Sequence, residues 1–147
     1  MGTMTGSASA EINAPKERCY ELAADLDTIA EWQEGVVGVN VLERDADGRG
    51  ILAEISSDAK VKTVTARVRF AHDPPDRLSW VQEKGDLKSL VGSWTFSESG
   101  GVTTATYALE IDPGRVLGML VRGPVEARVR ALMVEARPQQ LKRAAEA

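Results

Sequence analysis

The sequence is poor in the residues that build disulfide networks and metal centres. It contains one cysteine, Cys19, and one histidine, His72, among 147 residues. A single cysteine cannot form an internal disulfide, and these two side chains are too few for a structural zinc site. We therefore expect a cytoplasmic protein that carries neither a metal nor another cofactor.

Long hydrophobic runs and an excess of positive charge are also missing. No stretch approaches the roughly 20 apolar residues of a membrane-spanning helix. The formal net charge is -4, and the basic residues are scattered except near the C-terminus, which offers little attraction to phosphate backbones. We expect no stable membrane insertion and no nucleic-acid partner, while a monomer and a homodimer both stay open.

The composition is that of one globular domain. Hydrophobic residues make up 43% and charged residues 27% of the chain, proportions that favour a folded protein over a disordered one. Residues 1–6 are small and polar, unlike a secretion signal. We expect them to form a flexible leader before a single domain at residues 7–147.

The periodicity of apolar residues changes twice along the chain. After a short alternating stretch at residues 7–12, residues 15–26 and 29–34 show the spacing of two short amphipathic helices. From residue 37 to residue 111 the period is two, in about six runs divided by glycine, proline and aspartate. The pattern predicts an α+β fold with a curved seven-stranded antiparallel sheet and two short helices after its first strand.

The C-terminal part returns to helical spacing. Residues 116–122 and 125–145 form two predicted helical stretches interrupted at Gly123 and Pro124, and the second is a long helix with an apolar stripe that must face the sheet. Arg137 is assigned to a solvated face of this helix. Pro138 is expected to kink or thin the helix, because proline removes one backbone hydrogen bond.

A curved sheet and a straight helix leave a gap between them unless large side chains fill it. Only three Trp, two Tyr and two Phe are available, and several inward positions carry Ala, Gly or Val. An apolar cavity is therefore expected, and Tyr107 can offer its hydroxyl to a ligand there. The predicted lining residues are Phe70, Trp80, Gln82, Leu90, Trp94, Phe96, Tyr107 and Leu109 of the sheet and Val125, Val129, Leu132 and Met133 of the long helix.

Three other side chains have alternative interpretations. His72 is the one group whose ordinary pKa lies near neutrality, but its place before Asp-Pro-Pro indicates a solvated turn rather than a general base. Cys19 lies on the apolar side of the first helix, where a thiol packs as a small hydrophobe. Trp32 either gates the entrance of the cavity or anchors its short helix to the core.

Several segments resemble the START-like, or Bet v 1-like, superfamily, and within it the bacterial polyketide cyclase/dehydrase and lipid transport proteins. The resemblance covers nearly the whole chain and is carried by the opening strand and helices with Ile12-Asn13-Ala14-Pro15 and Glu31-Trp32, by the stretch from Pro74 to Trp80, and by Gly92-Ser93-Trp94-Thr95-Phe96 before the terminal helix. It implies a helix-grip architecture around a hydrophobic cavity, in which members bind lipids, hormones, polyketides or quinones.

We expect the protein to bind or carry a small hydrophobic molecule without catalysing a reaction, because no catalytic set converges on the cavity. One alternative is a cyclase or dehydratase in which Tyr107, Gln82 or a buried carboxylate transfers protons. Another is an interaction module similar to coenzyme Q-binding proteins or to ribosome-associated relatives.

Overall fold

A computed structural model of the chain describes residues 3–59 and 62–147. The sheet consists of β1 (Met4–Ile12), β2 (Val36–Arg44), β3 (Gly50–Asp58), β4 (Thr63–Asp73), β5 (Arg77–Gly85), β6 (Ser89–Ser99) and β7 (Val102–Asp112). The helices are α1 (Lys16–Ala24), α2 (Ile29–Trp32), α3 (Gly114–Leu120), α4 (Pro124–Arg130), a π-helical turn (Ala131–Glu135) and α5 (Arg137–Glu146).

All seven strands form one antiparallel sheet in the order β1-β7-β6-β5-β4-β3-β2. Strands β4, β6 and β7 bury alternate side chains, as β4 shows with Val64, Ala66, Val68 and Phe70 on its buried face. This alternation follows from the period of two in a pleated strand, and it places most apolar side chains of these strands on one surface, while Val81 and Val91 of the central strands are exposed. The α+β fold and the strand count predicted from the sequence are confirmed.

The first strand begins earlier than the sequence indicated. Residues 4–6 belong to β1 and pair with residues 109–111 of β7, and Met4 is buried. The expectation of a flexible leader up to Gly6 is therefore wrong for residues 4–6, whose backbone groups and one apolar side chain have partners in the sheet. Residues 1 and 2 lie outside the described part of the chain.

The C-terminal helix, residues 124–146, consists of α4, the π-helical turn and α5. Within the turn the Ala136 amide donates to the Ala131 carbonyl at 3.0 Å, a bond that spans five residues instead of four. Pro138 follows directly, and its ring cannot donate to the Val134 carbonyl and would clash with it in a regular helix. The disturbance expected at Pro138 thus takes the form of a wider turn before it.

The C-terminal helix crosses the inner face of the sheet and is closest to it at β1. Gly6 permits this approach, because a Cβ there would lie 3.3 Å from Cγ1 of Val134. The helix also packs on α1 through α5 and on β7 through the π-helical turn. In the described residues, no helix is both long enough and apolar enough to cross a membrane.

Candidate ligand cavity

An inner cavity of about 90 Å³ lies between the central strands, α2 and the C-terminal helix. Its floor is aromatic, because Phe70 contacts Trp80 with ring centroids 5.9 Å apart and Trp80 contacts Tyr107 at 5.6 Å. The ring of Trp94 completes this floor at 4.8 Å from Tyr107. The volume holds a few water molecules or one small functional group.

A second, outer cavity of about 680 Å³ adjoins the inner one at the end of the sheet. The β7–α3 connection, α3 and α4 form much of its wall, with Leu117, Met119 and Val121 among the apolar lining residues. Val64, Leu87 and Met133 line both cavities. These three side chains therefore form the boundary between the two spaces, and a molecule that extends across it would occupy both.

Seven of the predicted lining residues line the inner cavity: Phe70, Trp80, Leu90, Trp94, Tyr107, Leu109 and Met133. Val129 lines the outer cavity instead. Since β4 to β7 present their inward side chains to the same surface, alternation alone was sufficient to bring the sheet residues together.

Five predicted residues lie outside the lining of both cavities: Gln82, Phe96, Val125, Leu132 and Trp32. The Gln82 amide donates to the Leu87 carbonyl at 2.9 Å, so it fixes the β5–β6 connection. Phe96 is stacked on Trp94 in the core. Trp32 packs against the core from α2, where Ile29 and Gln33 are the residues that reach the cavity. Gln82, Phe96, Val125 and Leu132 thus lie elsewhere than predicted, whereas the contact of Trp32 with the core agrees with the second of its two interpretations, that it anchors its short helix.

The sequence-based prediction missed a buried charge. Arg137 is only 4% exposed and lines the inner cavity, whereas we had assigned it to a solvated face. Its Nη1 donates to the Glu34 carbonyl at 2.9 Å and to Oε1 of Gln140 at 2.8 Å. Its guanidinium carbon lies 5.9 Å from the centroid of the Tyr107 ring. The other missed lining residues are Ala23, Leu26, Ile29, Gln33, Val36, Ile55, Ser57, Val64, Ala66, Val68, Leu78 and Leu87.

His72 is part of a hydrogen-bonded chain between α1 and the sheet, not a solvated turn residue. The Tyr20 hydroxyl lies 2.7 Å from His72 Nδ1, and His72 Nε2 lies 2.9 Å from the Gly50 carbonyl. A carbonyl only accepts, so Nε2 donates and a neutral ring accepts from Tyr20 at Nδ1. Burial raises the pKa of the Tyr20 phenol to about 12.

This chain of hydrogen bonds predicts how the variant Tyr20→Phe behaves. At neutral pH it should lose about 1–2 kcal/mol of unfolding free energy, because His72 Nδ1 loses its donor. The raised folded-state pKa favours the protonated phenol, so its contribution is complete below the unfolded pKa of about 10 and is lost as the pH rises towards 12. Urea unfolding at pH 7 and in steps from pH 9.5 to 12 should show the unfolding free energies of the wild type and the variant converging as the pH rises.

Tyr107→Phe is the matched control at pH 7, since in the described part of the chain the Tyr107 hydroxyl has no hydrogen-bond partner. If Tyr107→Phe lost as much unfolding free energy as Tyr20→Phe, this account of the Tyr20 hydroxyl would be contradicted.

Cys19 is a buried core residue of α1, as the sequence predicted. Burial raises the pKa of its thiol, which lowers the fraction of reactive thiolate. Within residues 3–59 and 62–147, no group of three or more His, Cys, Asp or Glu side chains is placed to hold a metal ion.

The sequence pattern of the polyketide cyclase / dehydrase and lipid transport family matches residues 12–136 of this chain. The chain belongs to this family. The match runs from the last residue of β1 to the residue after the π-helical turn. It therefore includes strands β2 to β7 and the described residues that line both cavities, apart from Met4 and Arg137. No curated protein sequence matches the chain.

Solved structures similar to this family member share its fold. A START superfamily protein from Mycobacterium smegmatis is 16% identical, with a TM-score of 0.83 over 99% of this chain and 98% of its own. A protein from Thermus thermophilus is 23% identical, with a TM-score of 0.83 over 97% of both chains. The Zhui aromatase/cyclase from a Streptomyces species is 16% identical, with a TM-score of 0.81 over 99% of this chain and 94% of its own. The helix-grip architecture implied by the resemblance is confirmed.

Proposed function

We propose that this protein binds and carries a small hydrophobic molecule, such as a lipid, a quinone or a polyketide-like compound, between its sheet and its C-terminal helix. The outer cavity is the observation that supports this proposal. Its volume of about 680 Å³ falls within the range of about 300–1,000 Å³ that small-molecule sites occupy. Apolar burial would supply the driving force, at about 25 cal/mol for each Å² removed from water.

The chemistry of the lining favours holding a ligand over converting it. Among the described residues that line the inner cavity, only Tyr107 and Arg137 are titratable. General acid–base catalysis needs a proton donor and an acceptor within reach of the reacting atoms, and a tyrosine with a guanidinium does not supply an acceptor that works near neutral pH. The outer cavity adds Lys88, Arg115 and Arg122 and the carboxylates of Asp112 and Glu126. Both carboxylates are engaged, because Asp112 accepts from the Gly114 amide at 2.9 Å and Glu126 pairs with Arg130.

A cyclase or dehydratase is the second candidate function, and the free hydroxyl of Tyr107 is the observation that favours it, since no residue in the described part of the chain bonds to it. In this case the aromatic floor would hold a reactive chain and Tyr107 would donate a proton. Gln82, the other side chain considered for this role, is engaged with the Leu87 carbonyl. If the protein turned over a linear polyketide and Tyr107→Phe abolished the reaction, this second function would replace the first.

We expect N-phenyl-1-naphthylamine, an uncharged probe that fluoresces in apolar surroundings, to bind the protein and raise its melting temperature. The variant Gly118→Trp should weaken binding at least about tenfold, because Gly118 lines the outer cavity on α3 and an indole there would occupy the volume that the probe needs. Fluorescence titration measures the affinity, and native mass spectrometry of the purified protein tests for a retained small molecule.

The matched control for this experiment is Ala127→Trp. Ala127 is exposed on the neighbouring helix α4 and lines neither cavity, so the same bulk should leave the affinity unchanged. If the wild type neither retained a molecule nor bound the probe, or if both variants bound it equally well, the carrying function would be rejected.

A further inference from the structure

Arg137 is a buried cation whose two hydrogen-bond partners are both uncharged. These partners are the Glu34 carbonyl and the Gln140 side-chain amide, in the part of the chain that the structure describes. The carboxylate of Glu34 is on the other side of that amide, with Oε2 at 3.4 Å from Gln140 Nε2, and it belongs to an exposed residue. Burying a charge is costly unless an opposite charge compensates it, so the position of Arg137 calls for an explanation.

The two hydrogen bonds of Arg137 use only one of its nitrogens. Nη1 has two hydrogens, and both are engaged with the two acceptors. Nε is fully buried and has no acceptor, and Nη2 likewise has none among the described residues. The N–H groups of Nε and Nη2 point in parallel from one edge of the guanidinium, and this edge binds both oxygens of a carboxylate at once. The edge suited to a carboxylate is therefore the one left free.

The cavity that Arg137 lines suits a small planar anion with an apolar body. Arg137 shares the inner cavity with the hydroxyl of Tyr107 and with the aromatic floor, and about 90 Å³ admits a functional group rather than a whole ligand. Met133, at the boundary with the outer cavity, lies about one helical turn before Arg137. A head group beside Arg137 would thus leave its apolar body to extend past Met133 into the larger space.

We propose that Arg137 anchors the carboxylate of an apolar carboxylic acid whose body occupies the outer cavity. Nε and Nη2 donate to the two carboxylate oxygens, and the negative charge offsets the buried cation. This inference rests on the proposed carrying function and narrows it to apolar acids. Arg137 is also a structural residue, since it holds Glu34 and Gln140, and the test has to separate the two roles.

The test compares 2-naphthoate with 2-naphthamide, which has nearly the same shape but no charge, as competitors of N-phenyl-1-naphthylamine at pH 7.5. Hydrogen bonds to charged groups predict that the wild type prefers naphthoate by on the order of ten- to a hundredfold. Arg137→Gln should abolish this preference, and Arg137→Lys should keep only part of it because an ammonium has no parallel pair of donors. Arg128→Gln removes a charge from an exposed residue of α4 and should keep the full preference.

A second measurement reads the contact directly in the wild-type protein. The side-chain Nε–H signal of Arg137 in a ¹H–¹⁵N spectrum, assigned by its loss in Arg137→Gln or by residue-specific labelling, should shift on addition of naphthoate and stay in place with naphthamide. A purely structural role would not produce this difference. Because it uses the wild-type protein, this measurement also shows whether Arg137 contacts the carboxylate if Arg137→Gln fails to fold.

The outcomes distinguish this inference from the function on which it rests. If the wild type binds the uncharged probe but takes naphthoate and naphthamide equally well, the carrying function stands and the role of Arg137 is overturned. The role is also overturned if Arg137→Gln keeps the preference, or if naphthoate leaves the Nε–H signal unmoved. If neither the probe nor either competitor binds, the carrying function itself fails.

Discussion

Replacing Trp94 with alanine is expected to cost about 3–5 kcal/mol of unfolding free energy, the range for truncating a large core aromatic. The side chain is 1% exposed and touches Phe96 on the same strand and Tyr107 on the neighbouring one. Truncation would remove these contacts and enlarge the inner cavity that Trp94 lines, and a larger void in a packed interior costs free energy. In a domain of this size the melting temperature should fall by about 6–20 °C.

The other two tryptophans provide a matched comparison for this prediction. Trp80 and Trp32 are only half-buried, so the same truncation should cost about 2 kcal/mol at each. Urea unfolding followed by circular dichroism measures all three variants without relying on tryptophan fluorescence. If Trp94→Ala were no less stable than Trp32→Ala, the close packing between β6 and β7 described here would be refuted.

The sheet could be predicted from the sequence because alternation records burial directly. Along β4 and β7, successive residues either enter the core or face solvent, and apolar and polar residues follow this rule almost without exception. The pairing of neighbouring strands then follows from short turns. Eight of the predicted residues line one of the two cavities. Six of them lie on the sheet and follow from this alternation, and the other two, Val129 and Met133, follow from the helical stripe.

The C-terminal helix shows where the same reasoning stops. A regular helix repeats every 3.6 residues, but the π-helical turn advances the buried face by five residues, from Val129 to Val134. Leu132 was predicted from regular spacing and lies outside both cavities, whereas Val134 was not predicted and is buried. The wider turn depends on Pro138, whose influence on the helical phase is not visible in the hydrophobic pattern.

Arg137 was missed for a different reason. It lies four residues after Met133, on the face that the apolar stripe had already marked, so its spacing was correct. Its charge was taken to exclude it from the core, since arginine is seldom buried without a partner. A charged residue that coincides with an otherwise apolar stripe is a signal for a functional site, and that signal was available in the sequence.

The main volume of the site could not be located from the pattern either. The outer cavity is bounded by the β7–α3 connection and by α3, and the chain enters and leaves α3 at glycines with positive φ, Gly114 and Gly123, which hydrophobic periodicity does not reveal. Alternation shows which faces are apolar, but it carries no information on how far two layers separate at one end of a sheet. The walls were therefore largely predictable, while the distribution of space between them was not.

A methyl group added at Gly92 is expected to destabilise the protein by about 3 kcal/mol, the upper part of the usual range for overpacking. Gly92 pairs directly with Trp80 across β5 and β6, and a Cβ there would overlap atoms Cε2, Nε1 and Cζ2 of the indole. Since all three atoms belong to the indole ring, the ring of Trp80 has to move, and the inner cavity that it lines is the space available to it. Gly92→Ala should therefore also weaken naphthoate binding.

Gly38→Ala on β2 is the matched control, because a Cβ at Gly38 would meet its nearest neighbour, Cβ of Ser56, at an ordinary 3.9 Å. At Gly38 the added methyl group lowers the conformational entropy of the unfolded chain without causing a clash in the folded one. The unfolding free energy should therefore stay the same or rise by about 0.4–1 kcal/mol. Urea unfolding and naphthoate titration of both variants separate the local collision from the general effect of replacing a strand glycine. Equal stability and equal affinity of the two variants would show that Gly92 does not hold the space for Trp80, and that the width of the inner cavity is set elsewhere in the sheet.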